Sequence, residues 1–157
     1  MKRVEVTTCI DVVKYDELSS MEQRLVDEAR KAAAQAYAPY SKFHVGAAIA
    51  LNNGEVVTGS NQENVAYPSG MCAERVACYY VHAQHPEAKI EAIAIAAQGV
   101  DGAEVATPIS PCGSCRQAML EYEKLAESDI KVILVGAKEI YIVSSVKSLL
   151  PLAFIEL

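Results

Sequence analysis

Three cysteines and one glutamate hold the reactive potential of this sequence. Met71-Cys72-Ala73-Glu74-Arg75 puts a thiol, a carboxylate and a guanidinium close together, and Pro111-Cys112-Gly113-Ser114-Cys115-Arg116 adds two thiols in C-x-x-C spacing. Three thiolates fill three of the four tetrahedral positions of a zinc ion and leave the fourth for water. Glu74, two residues after the first thiol, is then a candidate to shuttle protons to and from that water. Three thiolates also overcompensate a divalent charge and weaken its Lewis acidity. Helix N-termini and a nearby guanidinium can offset that surplus; Arg75 and Arg116 are the candidates, with Arg75 favoured.

Two plainer readings stand beside this one. A C-x-x-C pair alone serves a structural zinc or a redox couple equally well. A structural site calls for a fourth protein ligand, and His82 and His85 are present but at no ligand spacing. Cys78 lies six residues after Cys72, off the same helix face, and reads as packing. Cys9 reads as a small hydrophobe.

The elements that position these groups follow from pattern. Ser20-Met21-Glu22-Gln23 has the capping-box pattern of a helix start. The helix is expected to run to about Tyr37, with Leu25, Ala29, Ala32, Ala33 and Ala36 facing inward. Pro39-Tyr40-Ser41 ends it, and residues 43–51 read as a buried strand. Asn52-Asn53-Gly54 is a turn signal leading to a returning strand over 55–60. A polar loop, 61–70, delivers the chain to Met71. Residues 72–82 suit a helix with Cys72 and Glu74 in its first turn and Val76, Tyr79 and Tyr80 as packing positions. Residues 90–97 form a nearly continuous apolar run, as in a central strand covered on both faces. After a loop over 99–110, the C-x-x-C opens a helix to about Ala126. Two short strands (131–135 and 139–143) and a turn or short helix at 148–154 complete the chain.

The expected fold class is therefore α/β, a three-layer α/β/α sandwich with a mixed five-stranded sheet. Residues 3–13 are β-rich, so residues 1–18 read as an N-terminal arm or edge strand and residues 19–157 as a single catalytic domain.

Composition narrows the function. With 157 residues, 52% apolar and 22% charged, the chain is long and apolar enough for one folded domain. A net charge of −6 argues against a nucleic-acid polymer as ligand and favours a small neutral substrate. No apolar stretch approaches the roughly 18–20 residues of a membrane span, and the first residues show no signal-peptide pattern. Five cysteines, an odd number, suit a reducing compartment better than a disulfide framework. A cytoplasmic location is expected.

Taken in order, Tyr40-Ser41-x-Phe43-x-Val45-Gly46-Ala47-Ala48, Asn61-x-Glu63-Asn64, Tyr67-Pro68, Cys72-Ala73-Glu74-Arg75 and Pro111-Cys112-Gly113-Ser114-Cys115-Arg116-Gln117 resemble the small homotetrameric zinc-dependent cytidine deaminases from about Tyr37 to Phe154. Zinc deaminases pair a three-ligand site with a non-ligand glutamate and a P-C-x-x-C element; here C-x-E stands where the general signature has H-x-E. The resemblance implies one Zn²⁺ per subunit on Cys72, Cys112 and Cys115, with Glu74 as proton shuttle. It implies hydrolysis of cytidine and deoxycytidine to uridine and deoxyuridine with ammonia release, a step of pyrimidine salvage. It also implies that Asn61 and Glu63 hold the ribose, that Phe43, Tyr67 and the Ala73 backbone meet the base, and that Phe154 enters a neighbouring subunit's site in a homotetramer. The chain departs from the family at Ile155-Glu156-Leu157, where a longer acidic tail is the pattern. A deaminase of a related aminonucleoside and a zinc-stabilised, non-catalytic binding protein are the alternatives.

Overall fold

The computed structural model describes residues 1–155. Its elements are β1 (Asp11–Val13), α1 (Ser20–Ala34), β2 (His44–Leu51), β3 (Val56–Ser60), α2 (Ala73–Gln84), β4 (Ile90–Gln98), α3 (Gly113–Ala126), β5 (Lys131–Val135) and β6 (Ile140–Val143). Short 3-10 turns lie at Tyr15–Glu17, Tyr67–Ser69 and Lys147–Leu149. The strands form one sheet in the order β1-β6-β5-β4-β2-β3. β4 and β5 are parallel and every other neighbouring pair is antiparallel.

The sheet has six strands, not the five expected. The additional one is β1, which lies along the outer side of β6 with Asp11 opposite Ile142 and Val13 opposite Ile140. Three residues are enough because the open edge of β6 presents unpaired N–H and C=O groups. It is the edge strand expected for the N-terminal stretch, confined to three residues.

Side chains alternate between two faces, as strand geometry requires. Ala47, Ile49 and Leu51 of β2, Ile93 and Ile95 of β4, and Val132 and Leu134 of β5 pack with Ala77, Cys78, Val81, Met119 and Leu120 of α2 and α3. Their neighbours Ala48, Ala50, Ala94, Ala96, Ile133 and Val135 pack with Leu25, Val26 and Ala29 of α1. The result is helix, sheet and helix in three layers.

Two glycines set how closely the helices approach. A Cβ on Gly46 would collide with the Ala29 carbonyl oxygen and the Ala33 nitrogen of α1, so helix and strand meet backbone to backbone. A Cβ on Gly59 of β3 would lie 2.7 Å from the Ala77 nitrogen and 2.8 Å from the Ala73 oxygen. Gly59 thus seats the first turns of α2, which carry Glu74, directly on the sheet.

That close seating explains a second difference. The buried face of α2 is Ala73, Glu74, Ala77, Cys78 and Val81. Val76 is half-buried, while Tyr79 and Tyr80 are 44% and 53% exposed, not packing positions. Small side chains occupy the contact with β3, and the rings turn outward. The ends of α1 also differ from expectation. Its cap is Ser19, not Ser20: the Ser19 N–H donates to Glu22 Oε2 at 2.9 Å, and Glu22 also accepts from Lys131 Nζ at 2.7 Å. Glu22 is therefore tied both to the cap and to β5, which Gln23 is not. The helix stops at Ala34 because Tyr37 pairs with the loop after β3. The Tyr37 N–H donates to the Asn61 carbonyl at 3.0 Å, and the Glu63 N–H donates to the Tyr37 carbonyl at 2.8 Å. Among the described residues no helix is long and apolar enough to cross a membrane. In the C-terminal tail, Glu156 and Leu157 lie outside the described residues.

Gly59→Ala is expected to destabilise the protein by about 1–3 kcal/mol, the usual cost of overpacking a close contact. Denaturant unfolding measures this; stability within 0.5 kcal/mol of the parent protein, on the order of a neutral surface change, would contradict the seating of α2 on Gly59.

Candidate active site

Helices α2 and α3 begin side by side on one face of the sheet, and each begins with a cysteine. Cys72 is the N-cap of α2 and Cys112 the N-cap of α3; both have extended backbone, and neither side chain caps its own helix. The two thiols are therefore free to face each other across the helix starts. Cys115 is buried in the first turn of α3. The three sulfurs lie within 4.8 Å of one another. No other His, Cys, Asp or Glu ligand atom joins this group among the described residues. A tetrahedral ion with Zn–S bonds of about 2.3 Å spaces its sulfurs about 3.8 Å apart, so small adjustments fit these three thiols to zinc with one position left open.

The local electrostatics favour the thiolate of Cys72. The Cys115 thiol donates to Cys72 and, against the effect of burial, lowers Cys72 to about 5; Arg75 pulls the same way. Cys115 itself is pushed up, by its hydrogen bond to Cys72, by burial and by the neighbouring Glu74. Arg75 Nη2 lies 3.8 Å from Cys72 Sγ, and its contacts with the thiols raise its pKa further. The Arg75 Nε is buried and has no hydrogen-bond partner. Arg116 is engaged elsewhere: its Nε donates to the Pro111 carbonyl at 2.8 Å and its Nη1 to the Leu149 carbonyl at 3.1 Å. Of the two candidate arginines, Arg75 is the one against the thiols.

Glu74 is 4% exposed. Burial pushes its carboxyl above the ordinary carboxylate range, and the adjacent Cys72 adds to the rise. Its carboxylate is outside the three-sulfur group, and the nearby Cys115 thiol offsets part of the rise. A carboxyl of raised pKa beside a metal site can hold a proton and return it.

A cavity of about 580 Å³ opens beside Cys72 and Arg75, with Tyr40, Asn61, Glu63 and Tyr67 among the residues around it. Asn61 and Glu63 shape its wall. Asn61 Oδ1 accepts from the Val45 N–H at 2.7 Å and Nδ2 donates to the Phe43 carbonyl at 3.0 Å. Glu63 Oε2 accepts from the Tyr40 and Ser41 N–H groups at 2.9 and 3.2 Å. Contacts with Ser41, first its side chain and then the backbone here, hold Glu63 below the usual carboxylate range. Tyr67 meets Tyr40 edge-on at 6.2 Å.

The remaining residues singled out in the sequence are not on the wall of this cavity. Phe43, Ala73 and Phe154 are not among its lining side chains. Ala73 is buried under Gly59, and Phe43 is half-buried at the start of β2. Phe154 is 66% exposed, with its carbonyl held by Gln117 Nε2 at 2.7 Å. Cys78 is buried core, and burial pushes its thiol up to about 12. Cys9 is exposed, which corrects its reading as a small packed hydrophobe: it precedes β1 in a stretch with no regular structure. His82 packs on Tyr122 and His85 pairs with Glu55 at 3.3 Å, so neither supplies a fourth ligand. Met71 and Gln62, which also line the cavity, carried no signal in the sequence. They reach it through the backbone pairing of Gln62 with Met71.

Fold and site together define a class: a helix-covered sheet presenting an open three-thiolate zinc centre next to a buried carboxyl. Residues 19–128 match the model of the cytidine and deoxycytidylate deaminase zinc-binding region. The chain belongs to that family. It is 39% identical to the cytidine deaminase of Halalkalibacterium halodurans over 132 residues, 84% of this chain and 92% of the relative. With the Mycobacterium tuberculosis cytidine deaminase it shares 47% identity over 94 residues, 60% of this chain and 65% of the relative. The crystal structure of the Burkholderia pseudomallei cytidine deaminase superposes with a TM-score of 0.71 at 36% identity, covering 87% of this chain and all of that one.

Arg75→Gln removes the one guanidinium that faces the thiols. Zinc affinity, measured by competition with a chromogenic chelator, is expected to fall about 10-fold or more, the usual scale for losing an outer-shell partner. Unchanged affinity would show that the helix N-termini alone balance the thiolates.

Proposed function

We propose that this protein catalyses the hydrolytic deamination of cytidine and deoxycytidine to uridine and deoxyuridine, releasing ammonia. The observation that carries this reading is the three-thiol cluster, with no fourth protein ligand among the described residues, set beside the buried carboxyl of Glu74 in a chain of this family. Zinc held by Cys72, Cys112 and Cys115 would polarise a water and lower its pKa.

The chain's own residues do the rest. Glu74 takes one proton from the attacking water and delivers it to N3 of cytosine; it then takes the second from the hydroxyl added at C4 and passes it to the amine, which leaves as ammonia as the C4 carbonyl forms. Burial raises the carboxyl above the ordinary carboxylate range, the direction that suits a group which must both take up and return a proton. Arg75 offsets the thiolate charge. Asn61 and Glu63 bind the ribose: Glu63 Oε1 remains for a sugar hydroxyl while Oε2 holds the Tyr40–Ser41 turn, and the Asn61 amide keeps a second lone pair and a second hydrogen. Phe43, Tyr67 and the Ala73 backbone contact the base.

Residues 19–157 act as one catalytic domain and residues 1–18 as an arm upon it. The active assembly is a homotetramer with shared sites. The exposure of Phe154, Tyr79 and Tyr80 supports this, since large exposed rings mark interaction surfaces. A role in pyrimidine salvage in the cytoplasm accords with a nucleoside substrate and with the free cysteines.

The test is incubation of the zinc-loaded protein with each nucleoside, following loss of the cytosine ultraviolet band and release of ammonia, with light scattering on the same sample. Turnover of both substrates by a particle of tetramer mass is expected. Glu74→Gln should keep its zinc and lose at least about 10²–10⁴ in kcat. Substrate bound without ammonia release would make this a binding protein, and turnover of other aminonucleosides alone would move the specificity.

A further inference from the structure

Arg116 has no part in the chemistry above, yet it is bonded on three sides next to a zinc ligand. Its backbone N–H donates to the Cys112 carbonyl at 2.9 Å. Its side chain donates through Nε to the Pro111 carbonyl at 2.8 Å and through Nη1 to the Leu149 carbonyl at 3.1 Å. The first of these is the ordinary backbone bond of a helix start, which any non-proline residue here would make; the side chain is what ties the Pro111 carbonyl, one peptide before the Cys112 thiol, to a distant segment.

Cys112 needs such a grip. Unlike Cys115, it is exposed, and as an N-cap whose side chain makes no capping bond it has little packing to fix its thiol. The place of its sulfur follows from the Pro111–Cys112 backbone. The far anchor is itself rigid. The buried Glu123 accepts from the N–H groups of Ile130 at 2.9 Å, Val146 at 2.6 Å and Lys147 at 3.0 Å. This clamps the start of the Lys147–Leu149 turn, whose last carbonyl receives Arg116. The planar guanidinium donates in two fixed directions at once, which a lysine ammonium on a flexible stem does not reproduce.

Resting on the reading of Cys112 as a zinc ligand, we infer that Arg116 is a positioning residue: it braces the Pro111–Cys112 peptide against the Glu123-clamped Lys147–Leu149 turn and so holds the Cys112 thiolate in register with Cys72 and Cys115. Its charge is incidental to this task and its geometry is essential.

The experiment measures the rate of zinc release from the full-length protein into excess chelator, with kcat and KM for cytidine and the far-ultraviolet circular dichroism of the same samples. Arg116→Ala is expected to release zinc about 10–100-fold faster, the scale of losing an outer-shell partner. It should also lower kcat while leaving KM and helix content near those of the parent. Arg116→Lys keeps the charge and loses the fork, and it should also release zinc several-fold faster. Should the alanine variant fail to fold, the lysine variant decides alone. Parent-like release from Arg116→Lys would assign the residue to charge and overturn the inference, as would parent-like release from both variants. If the parent protein neither retains zinc nor deaminates cytidine, the functional reading falls and takes the inference with it. A fully active parent with unchanged release in the variants overturns the role of Arg116 alone.

Discussion

Three sulfurs within 4.8 Å of one another resist becoming thiolates together. At the effective dielectric of a protein site, two unit charges about 4 Å apart repel by on the order of 4 kcal/mol, and three thiolates make three such pairs. A helix N-terminus contributes about 0.3–1 kcal/mol, or up to about 2 kcal/mol when partly buried, so α2 and α3 together offset at most about one of the three pairs. Arg75, 3.8 Å from Cys72, supplies an attraction of the same order as one repulsion. The remainder falls to a divalent ion. Sharing of protons describes the thiols by themselves, with Cys72 lowered to about 5 and Cys115 pushed up.

The rest of the fold answers that constraint. Two helices must start at one place, and small residues seat the start of α2 close on the sheet. Gly59 admits the backbone of α2, Ala73 and Ala77 form the contact, and the tyrosines of α2 turn away. The same seating buries Glu74, which raises its pKa as a proton carrier requires. The polar loop after β3 serves a second purpose through Asn61 and Glu63. Their side chains hydrogen-bond the backbone at the start of β2 and in the Tyr40–Ser41 turn while they border the cavity. These two residues therefore brace the wall they line, and truncating either to alanine would loosen it.

What sequence pattern revealed and what it hid follow the same logic. Cys72, Cys112 and Cys115 were legible because three thiols and a carboxylate at helix starts have few other uses, and the central strands were legible as apolar runs. The period of α2 was misleading because large apolar residues suggest packing, whereas backbone proximity at Gly59 excludes them. β1 lies in the stretch read as an arm or edge strand, but it is too short for pattern to fix its bounds, and the end of α1 was hidden by a pairing between Tyr37 and the loop at Asn61–Glu63 that no local signal announces. Arg116 could not be separated from Arg75 by position, since both follow a metal-site cysteine. Their difference is entirely in what they reach: sulfur for one, carbonyl oxygen for the other.

The central claim is that the cluster is an open, catalytic zinc centre rather than a closed structural one. X-ray absorption at the zinc edge of the loaded protein tests it most directly. Three sulfur scatterers at about 2.3 Å and one lighter scatterer at about 2.0 Å are predicted, with the lighter shell perturbed when a cytidine-like inhibitor is added. Four protein ligands, with a spectrum indifferent to the inhibitor, would contradict it.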